Sequence, residues 1–415
     1  MNILTSCKKD FKSIPLGIKL IVLVIFLRSL GWAFVDPFYS MYFQQFHNNY
    51  SAVGIFTAIL ALSGLLTIIP LMRLADKMKE AVLIRDGEAL FLLVIFLYVL
   101  SGFFKSIPLL VFTLVLNGIS HTLLTIGTEA YIRKHNCDGK AGPFGYYMAF
   151  DYFGWVLGMV IAAFTVQYYS LNSMFLFVLP SILLGFIILP HIHERGIKSL
   201  FRGIKKYFHK TKDIVDIYND WKSLDSKMIF FLILSFFDGA LKMFALIFIP
   251  LFALSINLDL RSIALLMAIM YMPYILSYFF SEISDRVKKM NVITTGLFIG
   301  ALSSILLYFI LDKVWVVVFI TAISFSLAII RPAYNGAITR LTPHSMLGEI
   351  TSLNNFVERL GRIVGPITTG VIADIYGIKA TFLFIALVAF CLGGFAIIFR
   401  GYSYIIDPEK CGIIK

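Results

Sequence analysis

The sequence predicts an all-α integral membrane protein of twelve transmembrane helices, arranged as two six-helix parallel repeats. Three observations predict it. The 415 residues are 59% hydrophobic and only 14% charged, where an average globular chain is about a quarter charged. Apolar stretches long enough to cross a bilayer as helices, about 20 residues each, recur twelve times along the chain. Residues 112–177 return as residues 319–384 with a constant shift of 207 and no gap. Phe112, Ala130, Arg133, Gly154, Gly158, Tyr169 and Phe175-Leu176-Phe177 thereby become Phe319, Ala337, Arg340, Gly361, Gly365, Tyr376 and Phe382-Leu383-Phe384.

The spans fall near 18–43, 51–74, 82–104, 106–132, 143–169, 172–193, 228–255, 262–284, 291–311, 314–339, 349–376 and 379–400. Prolines inside them, such as Pro37, Pro250, Pro332 and Pro366, do not count against helices in a membrane. Lys8, Lys9 and Lys12 before the first span predict a cytoplasmic N-terminus, and twelve crossings return the C-terminus to the same side. The outer loops then hold only Lys105, Arg261, Lys313 and Lys379 of the 36 Lys and Arg. The net charge of +12 is thus a topological feature and calls for no nucleic-acid partner. The expected location is the plasma (cytoplasmic) membrane, multi-pass, with both termini cytoplasmic.

The first apolar stretch is too long for a cleavable signal peptide and is expected to stay. Cys7, Cys137, Cys391 and Cys411 lie in the cytoplasm or inside the last helix in this topology, so no disulfide is expected. A glycosylation-type triplet, Asn49-Tyr50-Ser51, falls in the first outer loop.

The chain divides into a first bundle over residues 1–195, a basic cytoplasmic linker over 196–227 and a second bundle over 228–415. In the linker, Ile197, Leu200, Phe201, Ile204, Tyr207 and Phe208 recur at helical spacing, with Lys198, Arg202, Lys205, Lys206 and Lys210 largely on the opposite face. Such a helix is expected to lie along the inner leaflet as a tether, its aromatic side in contact with membrane lipid.

Where the second span meets the third, the chain reads Met72-Arg73-Leu74-Ala75-Asp76-Lys77-Met78-Lys79. Where the eighth meets the ninth, it reads Ser281-Glu282-Ile283-Ser284-Asp285-Arg286-Val287-Lys288. Twelve spans in two halves, with an Asp-basic pair in both loops, resemble the major facilitator superfamily, although both glycines of that family's loop motif are replaced in each copy. The fifth span carries Gly145, Gly154 and Gly158 at the spacing of the family's drug-exporter branch, with Met159 where that branch has Pro. The eleventh carries the fuller Gly361, Gly365-Pro366 and Gly370. Small residues at these spacings also let helices pack closely. The exporter branch has an Arg in the fourth span where this chain has Leu114, ahead of Gly118. The resemblance implies an inner gate, in which Asp76 and Lys77 work with Glu129 and Arg133, and Asp285 and Arg286 with Arg340.

Ionisable groups inside spans cost roughly 3 kcal/mol each to insert and usually mark a pathway. This chain places Asp36, Asp151, Asp238, Glu358, Arg28, Lys242, Arg331, Arg359, Arg362 and His121 there. Asp238 with Lys242, and Glu358 with Arg362, stand four residues apart on one helical face and can pair. Asp36 falls nearer the outer mouth. Asp151 has no basic residue within a turn and matches Glu358 under the 207-residue shift. It is the leading candidate for a carboxyl that takes up a proton on one side and releases it on the other, with Glu358, Asp36 and His121 as further proton-coupling candidates. The same shift sets Trp155 on Arg362 and Leu124 on Arg331, so the frame repeats while the chemistry does not.

These features are expected to make a secondary transporter that works by alternating access, most simply a proton-coupled exporter of lipophilic or cationic small molecules. Arg28, Asp238, Lys242, Arg331, Arg359, Arg362 and Trp155 are its candidate substrate contacts. An organic anion bound by Arg28, Lys242, Arg331 and Arg359 is the alternative cargo. A membrane enzyme or a receptor without transport is a third reading. Against an enzyme, His191 and His193 are the only close His pair, and no Gly-rich phosphate loop is present. No cofactor or metal is expected, and the partners are a small-molecule substrate and protons, with the chain working as a monomer.

Overall fold

In the computed structural model, residues 16–75, 80–135, 142–189, 226–276, 280, 287–310, 312–342 and 347–402 are described. Among them, ten helices are long and apolar enough to cross a membrane. Two more complete the expected twelve. Leu260–Ile275 is apolar but only 16 residues long. Leu347–Tyr376 is long, at 30 residues, but carries Glu358, Arg359 and Arg362 along its middle. Among the described residues the regular structure is all helical, and the spans make the chain a multi-pass membrane protein. Large side chains such as Leu66, Phe103, Ile187 and Leu387 stand on its outer surface, as expected where the solvent is lipid.

Successive helices run in opposite directions. The far end of the bundle carries residues 45–49, 105–106, 256–259 and 377–379. The repeat is visible as structure, because the fourth and tenth spans, Ile107–His135 and Lys313–Leu341, are both 29 residues long. Packing repeats as well. The first span (Leu16–Gln44) lies on the fifth (Gly142–Thr165), as the seventh (Ser226–Ser255) lies on the eleventh (Leu347–Tyr376). The third span (Glu80–Phe104) lies on the fourth, as the ninth (Lys289–Phe309) lies on the tenth. The main contacts between the two sets of six are the second span (Tyr50–Ala75) on the eleventh and the fifth on the eighth (Leu260–Ile275).

The glycines of the fifth and eleventh spans account for the first of these pairings. A methyl group at Gly154 would stand 2.7 Å from the carbonyl oxygen of Phe26, and one at Gly365 would stand 2.7 Å from the Cα of Ala240. Gly158 meets Leu30, and Gly361 meets Phe236, closer still. Backbone lies against backbone there, so no side chain fits. Gly361→Leu is therefore expected to destabilise the protein by about 3 kcal/mol or more, seen as a lowered melting temperature of the purified protein. An unchanged value would mean that the seventh and eleventh spans can part freely.

The first span is not one helix. Leu16–Trp32 ends in a turn, a 3₁₀ segment follows at Asp36–Phe38, and Tyr39–Gln44 resumes the helix. Pro37 has no N–H to continue the ladder, and the interval is stitched by short turns such as Val35 N–H to the Trp32 carbonyl at 2.9 Å. Irregular backbone at membrane depth is tolerated where protein buries it or a cavity borders it. Here it borders one.

Residues 196–225 of the expected linker lie outside the described residues, and its last two, Ser226 and Lys227, already belong to the seventh helix. Of the cysteines, Cys391 is a free thiol, and the other three lie outside the described residues.

Candidate functional site

A chamber of about 440 Å³ lies between the two sets of helices. Its wall includes Arg28, Asp36, His121, Glu129, Asp151, Trp155, Lys242, Arg331, Glu358, Arg359 and Arg362, drawn from the first, fourth, fifth, seventh, tenth and eleventh spans. Residues scattered over more than three hundred positions of sequence thus face one space. Asp238 stands just behind this wall, 5% exposed, and holds Lys242 and Arg331 from the rear.

The second half supplies a connected charge cluster. Lys242 Nζ lies 3.0 Å from Asp238 Oδ2 and 2.5 Å from Glu358 Oε1, while Arg362 Nη2 reaches the same Glu358 oxygen at 2.6 Å. Arg331 comes from the tenth span to within 3.7 Å of both acids, and Tyr334 donates its hydroxyl to Asp238 at 3.0 Å. Both four-residue pairs are thus formed, but neither is isolated, because Lys242 and Arg331 fuse them into one network across three helices. Two acids face three bases, so the cluster carries an excess of positive charge when all five are ionised.

The first half is different. Ser29 donates a short hydrogen bond to Asp151, and the Trp155 indole is a second hydrogen-bonding neighbour of that carboxylate. No Lys or Arg among the described residues lies within ion-pair distance of Asp151, although its counterpart under the repeat, Glu358, has three. Asp36 sits on the break in the first span, 1% exposed, beside Trp32, and its Oδ2 has no hydrogen-bond partner among the described residues. Asp36 therefore borders the central chamber itself, deeper than the outer mouth expected from its position along the span. His121 is open to the chamber, with Arg28, Arg359 and Arg362 as its charged neighbours. Neither Arg28 nor Arg359 makes an ion pair among the described residues.

Aromatic rings close the wall between the fifth and eighth spans. Trp155 stacks on Tyr271 with centroids 5.9 Å apart, and Tyr152 stacks on Tyr274 at 5.2 Å. The Tyr152 hydroxyl also accepts from Arg331 Nη1 at 3.5 Å, which joins the aromatic wall to the charge cluster. Such a wall offers a flat solute stacking partners on one side and fixed charges on the other.

Glu88 is an acid that the sequence reading passed over. It is 1% exposed in the third span, its Oε2 has no hydrogen-bond partner among the described residues, and Arg28 is its charged neighbour. The signal in sequence was weak, since Glu88 stands two turns into the span but follows Arg85 and Asp86 closely. Of the expected inner gate, Asp76, Lys77, Asp285 and Arg286 lie outside the described residues, as do the side chains of Arg133 and Arg340. Glu129 borders the chamber.

Comparison with known proteins adds to this geometry. A family model described as Major Facilitator Superfamily matches residues 21–366 and again 230–409. The chain is 26% identical over 358 residues to the quinolone resistance protein NorA of Staphylococcus aureus strain COL, covering 85% of this chain and 88% of that one. The same protein from strain MRSA252 is 25% identical over 356 residues, with the same coverage. Among solved structures, a mutant of the nucleoside transporter NupG superposes with a TM-score of 0.74 at 12% identity, covering 92% of this chain and 98% of that one. The peptide transporter POT in complex with sulfate gives 0.71 at 13% identity, covering 95% and 98%.

Proposed function

The chain belongs to the Major Facilitator Superfamily and is a membrane transporter of a small molecule rather than an enzyme, and we propose that it exports lipophilic, aromatic cations in exchange for protons. The observation that carries this reading is Asp36. A buried carboxylate with one unpartnered oxygen, set on a helix break among Trp32, Tyr39 and Tyr271, suits a cationic head whose apolar body lies on the aromatic wall. The relatives named for quinolone resistance support an exporter of drug-like compounds. Asp151, with hydrogen-bond donors and no ion-pair partner among the described residues, is the proposed proton carrier. The concentration of Lys and Arg in the sequence segments expected on one side, with only Lys105, Arg261, Lys313 and Lys379 on the other, supports a cytoplasmic placement for both termini.

A second reading rests on a specific observation of its own. Arg28 and Arg359 face the chamber without an ion pair among the described residues, which suits an organic anion. Melting the purified protein with tetraphenylphosphonium, and separately with an aromatic carboxylate, separates the two. A ligand at 100 times its Kd adds about 2.7 kcal/mol of stability. The cation is expected to raise the melting temperature of the wild type and to do nothing for Asp36→Asn. A response to the carboxylate alone, lost in Arg28→Gln and Arg359→Gln, would replace the first reading with the second.

A further inference from the structure

At the far end, the second span begins with Tyr50 and Ser51, whose backbone N–H groups have no partner within their own helix. Asp374, from the last turn of the eleventh span, takes both. Tyr50 N–H donates to Oδ1 at 2.8 Å and Ser51 N–H to Oδ2 at 2.8 Å, while the Ser51 hydroxyl donates to the same Oδ2. The cap comes from 323 residues away in the chain and from the other half of the molecule. At the same end, the tenth span is capped in the ordinary way by its own Asp312, which accepts from Val314 at 3.0 Å. A local cap survives any motion of its helix. One supplied across the interface does not.

The surrounding backbone reinforces the contact. A methyl group at Gly370 would stand 2.7 Å from the Tyr50 carbonyl oxygen, and one at Gly54 would stand 2.9 Å from the carbonyl carbon of Pro366. The second and eleventh spans therefore touch main chain to main chain along this whole end. The pseudo-symmetric pair has its own clasp, where the Arg261 guanidinium of the eighth span lies 4.8 Å from the ring centre of Phe164 on the fifth. The other titratable groups that face Asp374 are His47 and Tyr50.

We propose that Asp374 is the far-side latch of the transport cycle: its carboxylate caps the second span only while the far end is closed, and the chamber opens to that side when the cap is broken. The carboxylate complements the positive N-terminal end of the helix, and it takes both N–H groups at once, one on each oxygen. Closure is thus favoured at one end of the bundle by a contact that opening must sacrifice, whichever solute is carried. The sequence showed Asn49-Tyr50-Ser51 as a glycosylation-type triplet; in the fold, Ser51 is engaged by the latch.

The test reads distance and needs no substrate. Spin labels are attached at Asn48→Cys and Lys379→Cys in full-length protein whose four native cysteines are serine, and the label separation is measured in lipid nanodiscs. Asp374→Asn and Asp374→Ala are each expected to raise the ratio of far-open to far-closed molecules roughly tenfold or more, the worth of one or two charge-assisted hydrogen bonds. In unlabelled positions 48 and 379, Ser51→Cys with Asp374→Cys should form a disulfide that stops transport, and a reductant should restore it. Should Asp374→Ala fail to fold, Asp374→Asn and the reversible disulfide still decide. Distance distributions that match the wild type, at an unchanged melting temperature, would overturn the latch, as would full transport by the disulfide-closed protein.

Discussion

Replacing Glu358 with glutamine is expected to destabilise the protein by about 3 kcal/mol or more, because it leaves Lys242, Arg331 and Arg362 facing Asp238 alone. Removing one partner of a buried ion cluster strands the others, whereas removing a matched pair does not. The double variant Glu358→Gln with Arg362→Gln is therefore expected to recover most of the loss. Melting temperatures and monodispersity of wild type, both single variants and the double variant make a thermodynamic cycle. Strict additivity would show that the two side chains do not sense each other, despite the 2.6 Å between them. The same cycle bears on function. A carboxylate held by Lys242 at 2.5 Å, Arg362 at 2.6 Å and Arg331 at 3.7 Å is an anchor for three helices, and this favours Asp151 over Glu358 as the group that carries the proton.

The fold was legible because membrane insertion writes itself into composition. A helix in lipid needs a long apolar run, and each run could be counted without knowing its neighbours. The eleventh span shows the limit of that signal: it was counted among the twelve apolar stretches, yet Glu358, Arg359 and Arg362 along its middle weaken its hydropathy, and the repeat supports it independently. Pairings within one helix were equally legible, since Asp238 with Lys242 and Glu358 with Arg362 follow from four-residue spacing alone. What joins those pairs was not. Arg331 reaches them from another span, and no spacing rule connects residues 93 positions apart. The break in the first span was half written, in Asp36-Pro37, but prolines are common in membrane helices and the pair does not say that the backbone lets go at Ala33–Val35. The Asp374 cap was not written at all. An Asp near a helix C-terminus is ordinary in sequence and acquires meaning only when a second helix starts beside it.

Asp151→Asn is expected to abolish proton-driven accumulation while leaving solute binding intact. The repeat sets Asp151 and Glu358 at equivalent places, so the fold offers the same depth to both acids, and their surroundings then divide the work. Glu358 is fixed among cations. Asp151 is held by Ser29 and Trp155, which hydrogen-bond to a carboxylate without neutralising its charge. A carboxyl in that setting can exchange its proton when the chamber changes sides, whereas one bound by Lys242 and Arg362 would have to break two ion pairs first. The expected size follows from thermodynamics. Each pH unit across the membrane is worth about 1.4 kcal/mol per proton, or tenfold in concentration, so one proton exchanged against a gradient of about two units sustains up to roughly a hundredfold accumulation. In proteoliposomes carrying tetraphenylphosphonium, the wild type should approach such a ratio, and Asp151→Asn should equilibrate the cation and go no further. Accumulation by Asp151→Asn at the wild-type level would exclude Asp151 as the carrier. Because Glu88 in the third span also has an oxygen without a hydrogen-bond partner among the described residues, the same measurement on Glu88→Gln would then test that acid as the replacement.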